Sequence, residues 1–195
     1  MIKYQLVLDV AGVIVTNLSP TYWVEMSVSA GVSYEFLHNQ FKHEIRELLW
    51  TGKISEEEFW EWIIRQCPSL EIHEAQSMLY KHLRTLLAFD YIPSWSEVAD
   101  IHLLSNHRQE WLEPLLDPIR PYLKSITISS SVGLCKPRPE IYTIVNATLN
   151  PMLQVMYIDD QDKNMKPAKE LSWNTLTADR EGKWQEQVKQ LLYSN

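Results

Sequence analysis

The sequence has little cysteine and no apolar stretch long enough to cross a membrane. Cys67 and Cys135 are the only cysteines among 195 residues, which excludes a disulfide framework and favours a reducing compartment. No apolar run approaches the roughly 20 residues that a transmembrane helix needs. The apolar run near the amino terminus contains Asp9 and lacks a small-residue cleavage site, unlike a secretory signal. We expect a cytoplasmic protein with no membrane partner.

Basic residues are too few for a broad nucleic-acid surface. The 25 acidic residues outnumber the 18 lysines and arginines, which gives a formal charge of −7. We therefore expect no nucleic-acid partner. The chain also lacks internal repeats and low-complexity segments. Its length and its 45% hydrophobic content are typical of a globular protein that buries about 70% of its unfolded surface.

Short apolar runs predict buried strands. One covers residues 5–15 and is rich in valine; similar runs follow at 101–105, 125–129 and 155–159. Continuous apolar runs are typical of parallel strands that are covered on both faces. Helical patterns follow each of the last three runs. This alternation predicts an α/β layered domain.

Residues 18–90 break the alternation because the patterns there are helical. An apolar face at positions 41, 45, 48 and 49 ends before Gly52, and Ser55 with Glu58 makes a capping-box pattern. Another apolar face runs from Met78 to Leu87. We predict a core domain formed by residues 1–17 and 91–195, and a helical cap domain formed by residues 18–90.

Polar residues stand where the predicted strands end. Because the carboxyl ends of parallel strands meet at one edge of a sheet, we expect these side chains to lie together. Two acids there can hold Mg²⁺, a lysine can offset their charge, and a hydroxyl can donate a hydrogen bond to a phosphoryl group. A further aspartate is suited to attack phosphorus. The residues are Asp9, Ser105, Asn106, Lys136, Asp159, Asp160 and Asn164.

Four stretches in order resemble the motifs of the haloacid dehalogenase (HAD) superfamily of hydrolases. They read LVLDVAGV, IHLLSN, GLCKPRPEIY and VMYIDDQDKN, and a GKISEEEF segment lies between the first two. The resemblance covers essentially the whole chain and is strongest to sugar phosphatases with a small helical cap. It implies a Rossmann-like parallel sheet with helices on both faces and an all-helical cap inserted after the first strand.

The resemblance also implies roles for the strand-end residues. Asp9 would be the nucleophile that forms an aspartyl-phosphate, and Ser105, Asn106 and Lys136 would bind the phosphate, with Ser105 and Lys136 also catalytic. Asn164 would support the metal site. The implied Mg²⁺ ligands are Asp9, the main-chain carbonyl of Ala11, Asp160 and Asp159.

Ala11 departs from the pattern of most phosphatases in this superfamily. They have an aspartate at this position as general acid and base, a role typically worth about 10²–10⁴-fold in rate. Three functions remain open. The first is a Mg²⁺-dependent phosphatase, monomeric or homodimeric, that acts on a small phosphorylated metabolite such as a sugar phosphate. The second is a catalytically impaired binding or regulatory protein. The third is a phosphonatase-like hydrolase that uses Lys42 or Lys53.

Some residues of the predicted cap and near the expected cleft have two interpretations. Trp50, Trp60 and Trp62 either pack in the core or stack on a sugar. His38, His43 and His107 are either packed in the core or exposed to solvent, or one of them supplies the proton that Ala11 cannot supply. The Asp159–Asp160 pair favours phosphorus chemistry over carbon–halogen cleavage, because haloacid dehalogenases act without a metal.

Overall fold

A computed structural model describes residues 4–193 of the chain. Five parallel strands form one sheet in the order β3-β2-β1-β4-β5, so the first strand lies in the centre. The fold is the predicted α/β layered arrangement. The strands are β1 Tyr4–Leu8, β2 Ala99–Ser105, β3 Leu123–Ile128, β4 Gln154–Asp159 and β5 Asn174–Thr177.

Helices cover both faces of the sheet, as predicted. Side chains alternate along a strand, and accordingly Leu6 and Leu8 belong to one hydrophobic cluster while Val7 belongs to another. The helices after β2 are α7 Gln109–Leu116, α8 Ser129–Val132, α9 Pro139–Asn146, α10 Met165–Glu170 and α11 Lys183–Tyr193, with 3₁₀ turns at Asp117–Tyr122 and Asp162–Asn164.

The chain between β1 and β2 forms helices, which we call the helical insertion (residues 21–96). Its second helix continues through a π-helical turn, Phe41–Ile45, into its third. The capping box is confirmed: the Glu58 N–H donates to Ser55 Oγ at 3.1 Å and the Ser55 N–H donates to Glu58 Oε2 at 2.7 Å. The helices are α1 Thr21–Ala30, α2 Tyr34–Gln40, α3 Arg46–Trp50, α4 Glu56–Gln66, α5 Ile72–His82 and α6 Leu87–Ser96.

The structure differs from the sequence-based prediction at three elements. The apolar run at 5–15 is a strand only to Leu8, after which the Val10 carbonyl accepts the N–H groups of Ile14 and Val15 in a tight turn. The apolar face from 78 to 87 is split between two helices, because the intervening chain pairs with this turn: the Leu86 N–H donates to the Ile14 carbonyl. Strand β5 was not predicted, because it has only four residues and three of them are polar.

The division into a core domain (1–17 and 91–195) and a cap domain (18–90) stays a prediction. Residues 1–3 and 194–195 of the core range lie outside the described residues. Among the described helices, none combines the length and the apolar character that crossing a lipid bilayer requires.

Buried hydrogen bonds fasten the helical insertion to the sheet domain. Glu56 Oε1 accepts the indole N–H of Trp60 at 3.0 Å and that of Trp111, which lies in α7, at 2.8 Å. The guanidinium of Arg108 donates to the Ile54 carbonyl at 2.7 Å. Both indoles are buried. The end of the insertion's third helix and the start of its fourth are therefore positioned by the segment that follows β2.

We expect Glu56→Ala to lower the free energy of unfolding by about 3 kcal/mol, because it leaves two buried indole N–H groups without an acceptor. Glu61→Ala is the matched control on the same helix: its pair with Arg65 is exposed, so the expected change is below about 0.5 kcal/mol. Urea denaturation measures both. Equal losses in the two variants would show that the Glu56 contacts do not stabilise this junction.

Candidate active site

The predicted site residues lie at the topological switch point of the sheet. The chain leaves β1 to pair on one side with β2 and later returns to pair on the other side with β4. Ligands of open α/β sheets bind outside the strand ends at such a point. Asp9 follows β1 and its N–H donates to the Ile158 carbonyl at 2.8 Å, while Ser105 and Asp159 end the two neighbouring strands.

A buried lysine joins two of the carboxylates. The ammonium of Lys136 lies 2.9 Å from Asp9 Oδ1 and 2.7 Å from Asp159 Oδ2, and all three side chains are at least 96% buried. Burial by itself lowers the pKa of this ammonium, but the two carboxylates outweigh it and raise the pKa above its ordinary value. Lys136 therefore stays charged between the two acids.

Asn106 holds the backbone of this lysine. Its amide nitrogen donates to the Lys136 carbonyl at 2.9 Å, and its amide oxygen accepts the Lys136 N–H at 2.7 Å. The side chain lines the site, but its polar atoms position the lysine. Direct contact of Asn106 with phosphate stays a prediction.

Asp159 is saturated with donors. Its oxygens accept the Lys136 ammonium, the Tyr157 hydroxyl, the Asn164 amide at 2.9 and 3.0 Å and the Gln161 N–H at 2.8 Å. Burial opposes ionisation, but Lys136 and these donors lower the pKa of Asp159 below its ordinary value. Its charge therefore holds the lysine in place, and its role as a direct metal ligand stays a prediction.

Asp9 has one engaged and one open carboxylate oxygen. Oδ1 accepts the Val10 N–H at 2.6 Å and contacts Lys136, whereas Oδ2 has no hydrogen bond within residues 4–193. Burial raises the pKa of Asp9 to about 7, Asp159 and Asp160 add to this, and Lys136 opposes it. A further cation beside Oδ2 would favour the carboxylate, which is the nucleophilic form.

Asp160 brings a third carboxylate to the site. Carboxylate oxygens of Asp9, Asp159 and Asp160 lie within 4.8 Å of one another, a spacing that could hold a metal ion. The Asn17 amide donates to Asp160 Oδ2 at 2.8 Å, and this contact leaves the other oxygen, Oδ1, buried without a hydrogen bond in the described chain. Hard oxygen donors of this kind suit Mg²⁺.

Unpartnered buried polar atoms concentrate at this place. Buried side-chain atoms usually have a hydrogen-bond partner. Over residues 4–193 five such atoms lack one, and three of them belong to predicted site residues: Ser105 Oγ, Asp160 Oδ1 and Asn164 Oδ1. Binding of a ligand or ion at this place would account for these clustered polar atoms better than chance packing does.

A cavity of about 400 Å³ opens above the carboxylates, and the helical insertion supplies most of its walls. Asp9, Ala11 and Lys136 line its floor, whereas Ser105 is completely buried behind it. The insertion side chains that line it are Tyr22, Trp23, His38, Phe41, Lys42, Arg46, Leu49, Trp50, Phe59 and Leu79.

The structure shows which of the candidate tryptophans and lysines reach the cavity. Trp60 and Trp62 are buried in the core, whereas Trp50 is half-buried and lines the cavity. Lys42 also lines the cavity, and Lys53 is not among its wall residues. Of the two lysines considered for phosphonatase-like chemistry, Lys42 therefore has the required location.

Two of the three candidate histidines, His38 and His107, reach the cavity. Burial lowers the pKa of His107 to about 4, so its imidazole is neutral near pH 7 and carries no proton suited to a general acid. The pKa of His38 is also lowered, by burial and by Lys42 and Arg46. Neither histidine compensates for Ala11 as a charged acid.

Solved structures with the same fold are enzymes and hydrolases of the HAD family. A HAD family enzyme from Bacteroides thetaiotaomicron matches with a TM-score of 0.80 and 21% identity, over 96% of this chain and 98% of that one. A predicted HAD-like family hydrolase from Porphyromonas gingivalis matches with a TM-score of 0.79 and 24% identity over 100% of both chains. L-2-haloacid dehalogenase from Xanthobacter autotrophicus matches with a TM-score of 0.61 and 15% identity, over 98% and 84%.

The chain therefore has the haloacid dehalogenase fold, which confirms at the level of fold the resemblance seen in its motifs. No protein-family model matches the sequence, and no curated protein matches it.

Sequence reasoning missed several residues that shape the site. Asn17 and Tyr157 each bind one of the acids, and Arg46 lines the cavity. Asn17 and Arg46 lie outside the four motif stretches, whereas Tyr157 lies within the fourth. Gly12 was also missed: its φ is +86°, and a Cβ there would come within 2.5 Å of Asp160 Oδ2. A glycine within the first motif stretch is the signal that could have been used.

We expect Gly12→Ala to lower the free energy of unfolding by about 3 kcal/mol, because the methyl group adds a clash with Asp160 to the strain of a positive φ. Gly133→Ala is the control: its φ is +73° but a Cβ there meets nothing within 4 Å, so about 1–2 kcal/mol is expected from backbone strain alone. Chemical denaturation measures both. Equal losses would mean that Asp160 yields to the methyl group without cost.

Proposed function

We propose that this protein is a Mg²⁺-dependent phosphatase that hydrolyses a small phosphorylated metabolite through an aspartyl-phosphate on Asp9. The observation that carries the proposal is the arrangement around Lys136: a buried carboxylate with one open oxygen, beside two further acids, on the floor of a cavity. Such a site concentrates a nucleophile, a permanent positive charge and a cation site at one point.

The donor set fits Mg²⁺. The orphaned Oδ1 of Asp160 and the open Oδ2 of Asp9 are hard oxygen donors near one another, and Mg²⁺ is typically held by one or two carboxylates plus substrate phosphate. Asp160, Asp9 and the Ala11 carbonyl would hold the ion, with Asp159 and Asn164 next to them. When bound, Mg²⁺ supplies charge stabilisation for the transferring phosphoryl group.

A solved relative in fold supports this cofactor and this ligand. The HAD family enzyme from Bacteroides thetaiotaomicron was also solved in complex with magnesium and inorganic phosphate; that structure has a TM-score of 0.74 and 23% identity to this chain, over 91% of this chain and 94% of that one. On the basis of this match we propose the same cofactor, and chemistry at phosphorus, for this chain.

Each residue of the floor has a distinct part in the proposed reaction. Asp9 attacks phosphorus through one carboxylate oxygen, and the bond from phosphorus to the leaving-group oxygen breaks. Lys136 and the Ser105 hydroxyl stabilise the charge on the phosphoryl oxygens. Water then attacks the phosphoryl group on Asp9, which releases phosphate and restores the carboxylate. Asn106 and Asp159 hold the lysine in position throughout.

The leaving group takes its proton from outside the first motif. Ala11 has no proton to give, and His107 is neutral near pH 7. A leaving group that departs with little protonation suits this site best, because it depends least on a general acid. Sugar phosphates with the phosphate at the anomeric carbon meet this condition, as do aryl phosphates.

We expect purified protein with Mg²⁺ to release phosphate from members of a phosphometabolite panel, and a chelator to abolish the release. Asp9→Asn should lower the rate at least about 10³-fold because it removes the nucleophile. Asp90→Asn, an exposed residue of α6, is the control and should retain the rate. Colorimetric phosphate determination measures this. Activity that survives Asp9→Asn would belong to a contaminant, and the proposal would fail.

The alternative is a HAD-fold binding or regulatory protein without turnover, and Ala11 on the cavity floor is the observation that favours it. The phosphonatase-like alternative would use Lys42, and borohydride trapping with a phosphono-aldehyde tests it.

Replacing Ala11 separates an active enzyme from an impaired one. We expect Ala11→Asp to raise an existing phosphatase rate, by up to about 10²–10⁴-fold for substrates with a poor leaving group. Ala11→Asn, which has the same shape without an acid, should not. Initial rates with Mg²⁺ measure both. Strong turnover by Ala11→Asp together with none by the natural chain would identify the latter as an impaired enzyme.

A further inference from the structure

Three positive side chains in the cavity wall have no carboxylate partner in the described chain. Lys42 and Arg46 lie four residues apart on the helical segment 34–50, and Lys163 lines the same cavity from the sheet domain. Within residues 4–193, none of the three has a carboxylate oxygen within 4.0 Å. In a chain with a formal charge of −7, this is a local excess of positive charge.

The three acids of the same helical segment are engaged elsewhere. Glu35 accepts the Ser33 hydroxyl at 2.9 Å, Glu44 accepts the Gln40 amide at 3.0 Å and the Trp62 indole N–H at 2.9 Å, and Glu47 pairs with Arg138 at 2.6 Å. None of them forms an ion pair with the cavity-lining cations. Lys42 lies in the π-helical turn Phe41–Ile45 and Arg46 follows it directly; such turns often occur at functional sites.

Aromatic rings form a continuous wall in the same cavity. Ring centroids of Trp23 and Phe41 lie 4.4 Å apart, those of Phe41 and Trp50 lie 6.2 Å apart, and those of Trp50 and Trp111 lie 5.9 Å apart. All four residues line the cavity. Such a wall suits a flat or apolar group better than a fully hydroxylated chain.

The charges of the floor and of a reacting phosphate do not use all the positive charge of the wall. The Lys136 ammonium together with one divalent cation balances the three carboxylates of the floor, and a reacting phosphate dianion then adds two negative charges. Lys42, Arg46 and Lys163 supply three positive charges, so a substrate with one phosphate and no other charged group would leave positive charge unbalanced. A second anionic group on the leaving portion would pair with Lys42 and Arg46.

We infer that the substrate is a phosphate monoester whose leaving portion has a flat or apolar body and a second anionic group, a carboxylate or another phosphate, that binds Lys42 and Arg46. This inference rests on the proposed function and defines its substrate class. The aromatic wall contacts the body, the floor binds the reacting phosphate, and the two cations select the second anion.

The test compares phenyl phosphate with a series of aryl phosphates that carry a para carboxylate, attached directly or through one or two methylene groups. We expect at least one carboxylated substrate to have a kcat/KM at least about tenfold above that of phenyl phosphate, mainly through KM, as two charge-assisted contacts allow. Lys42→Gln with Arg46→Gln should reduce this ratio to about twofold or less. Lys53→Gln, a surface lysine outside the cavity wall, should retain it.

Three outcomes would overturn the inference: no preference by the natural chain across the series, a ratio that persists in the double variant, or equal losses on phenyl phosphate and on its carboxylated relatives. The last would mean general attraction of phosphate by positive charge.

A binding experiment distinguishes failure of the proposed function from failure of this inference. If no aryl phosphate is hydrolysed, quenching of tryptophan fluorescence by 4-hydroxybenzoate and its longer homologues, compared with phenol, reports on the anion site without turnover. Saturable binding by the natural chain that the double variant lacks supports the site. Absence of carboxylate-dependent binding overturns it.

Discussion

The site depends on one buried ammonium ion between two buried carboxylates. Without Lys136, the charges of Asp9, Asp159 and Asp160 would be held within a few ångströms in a place that excludes most water, and such an arrangement is costly. The lysine lies there because Asn106 fixes its backbone and because Asp159, saturated by four donor groups, stays charged. These contacts leave one oxygen of Asp9 and one of Asp160 open. The proposed chemistry depends on those two oxygens.

The sheet and the helical insertion contribute different properties to the cavity. The strand ends build a charged floor that suits any phosphate, because it contacts only the reacting group. The insertion adds aromatic rings and two cations that have no carboxylate partner among residues 4–193. Glu56 and Arg108 fasten the insertion to the sheet domain through buried hydrogen bonds. In the proposed function, the insertion would contact the rest of the ligand and determine selectivity, and the floor would determine reactivity.

Ala11 and His107 together define what the site does not supply, namely a proton for the leaving group. An alanine has none, and burial keeps the imidazole neutral near pH 7. In the proposed reaction, the electrostatic part of catalysis would not need this proton, since the nucleophile, the lysine and the cation would act on the phosphoryl group. We therefore propose leaving groups that depart easily, and a flat leaving portion with an acidic hydroxyl agrees with the aromatic wall.

The sequence by itself determined the α/β class and the seven polar residues near the strand ends, because buried parallel strands are apolar runs and the polar residues that follow them stand out. It could not show where the first strand stops, since the turn after Leu8 is as apolar as the strand. Nor could it show that Asn106 and Asp159 act on Lys136 while Asn17 holds Asp160, because these contacts join residues 23 to 143 positions apart. Whether Lys42 or Lys53 reaches the cavity, and which tryptophan lines it, was decided by the tertiary structure, because helical spacing places a side chain on a face without specifying what that face meets.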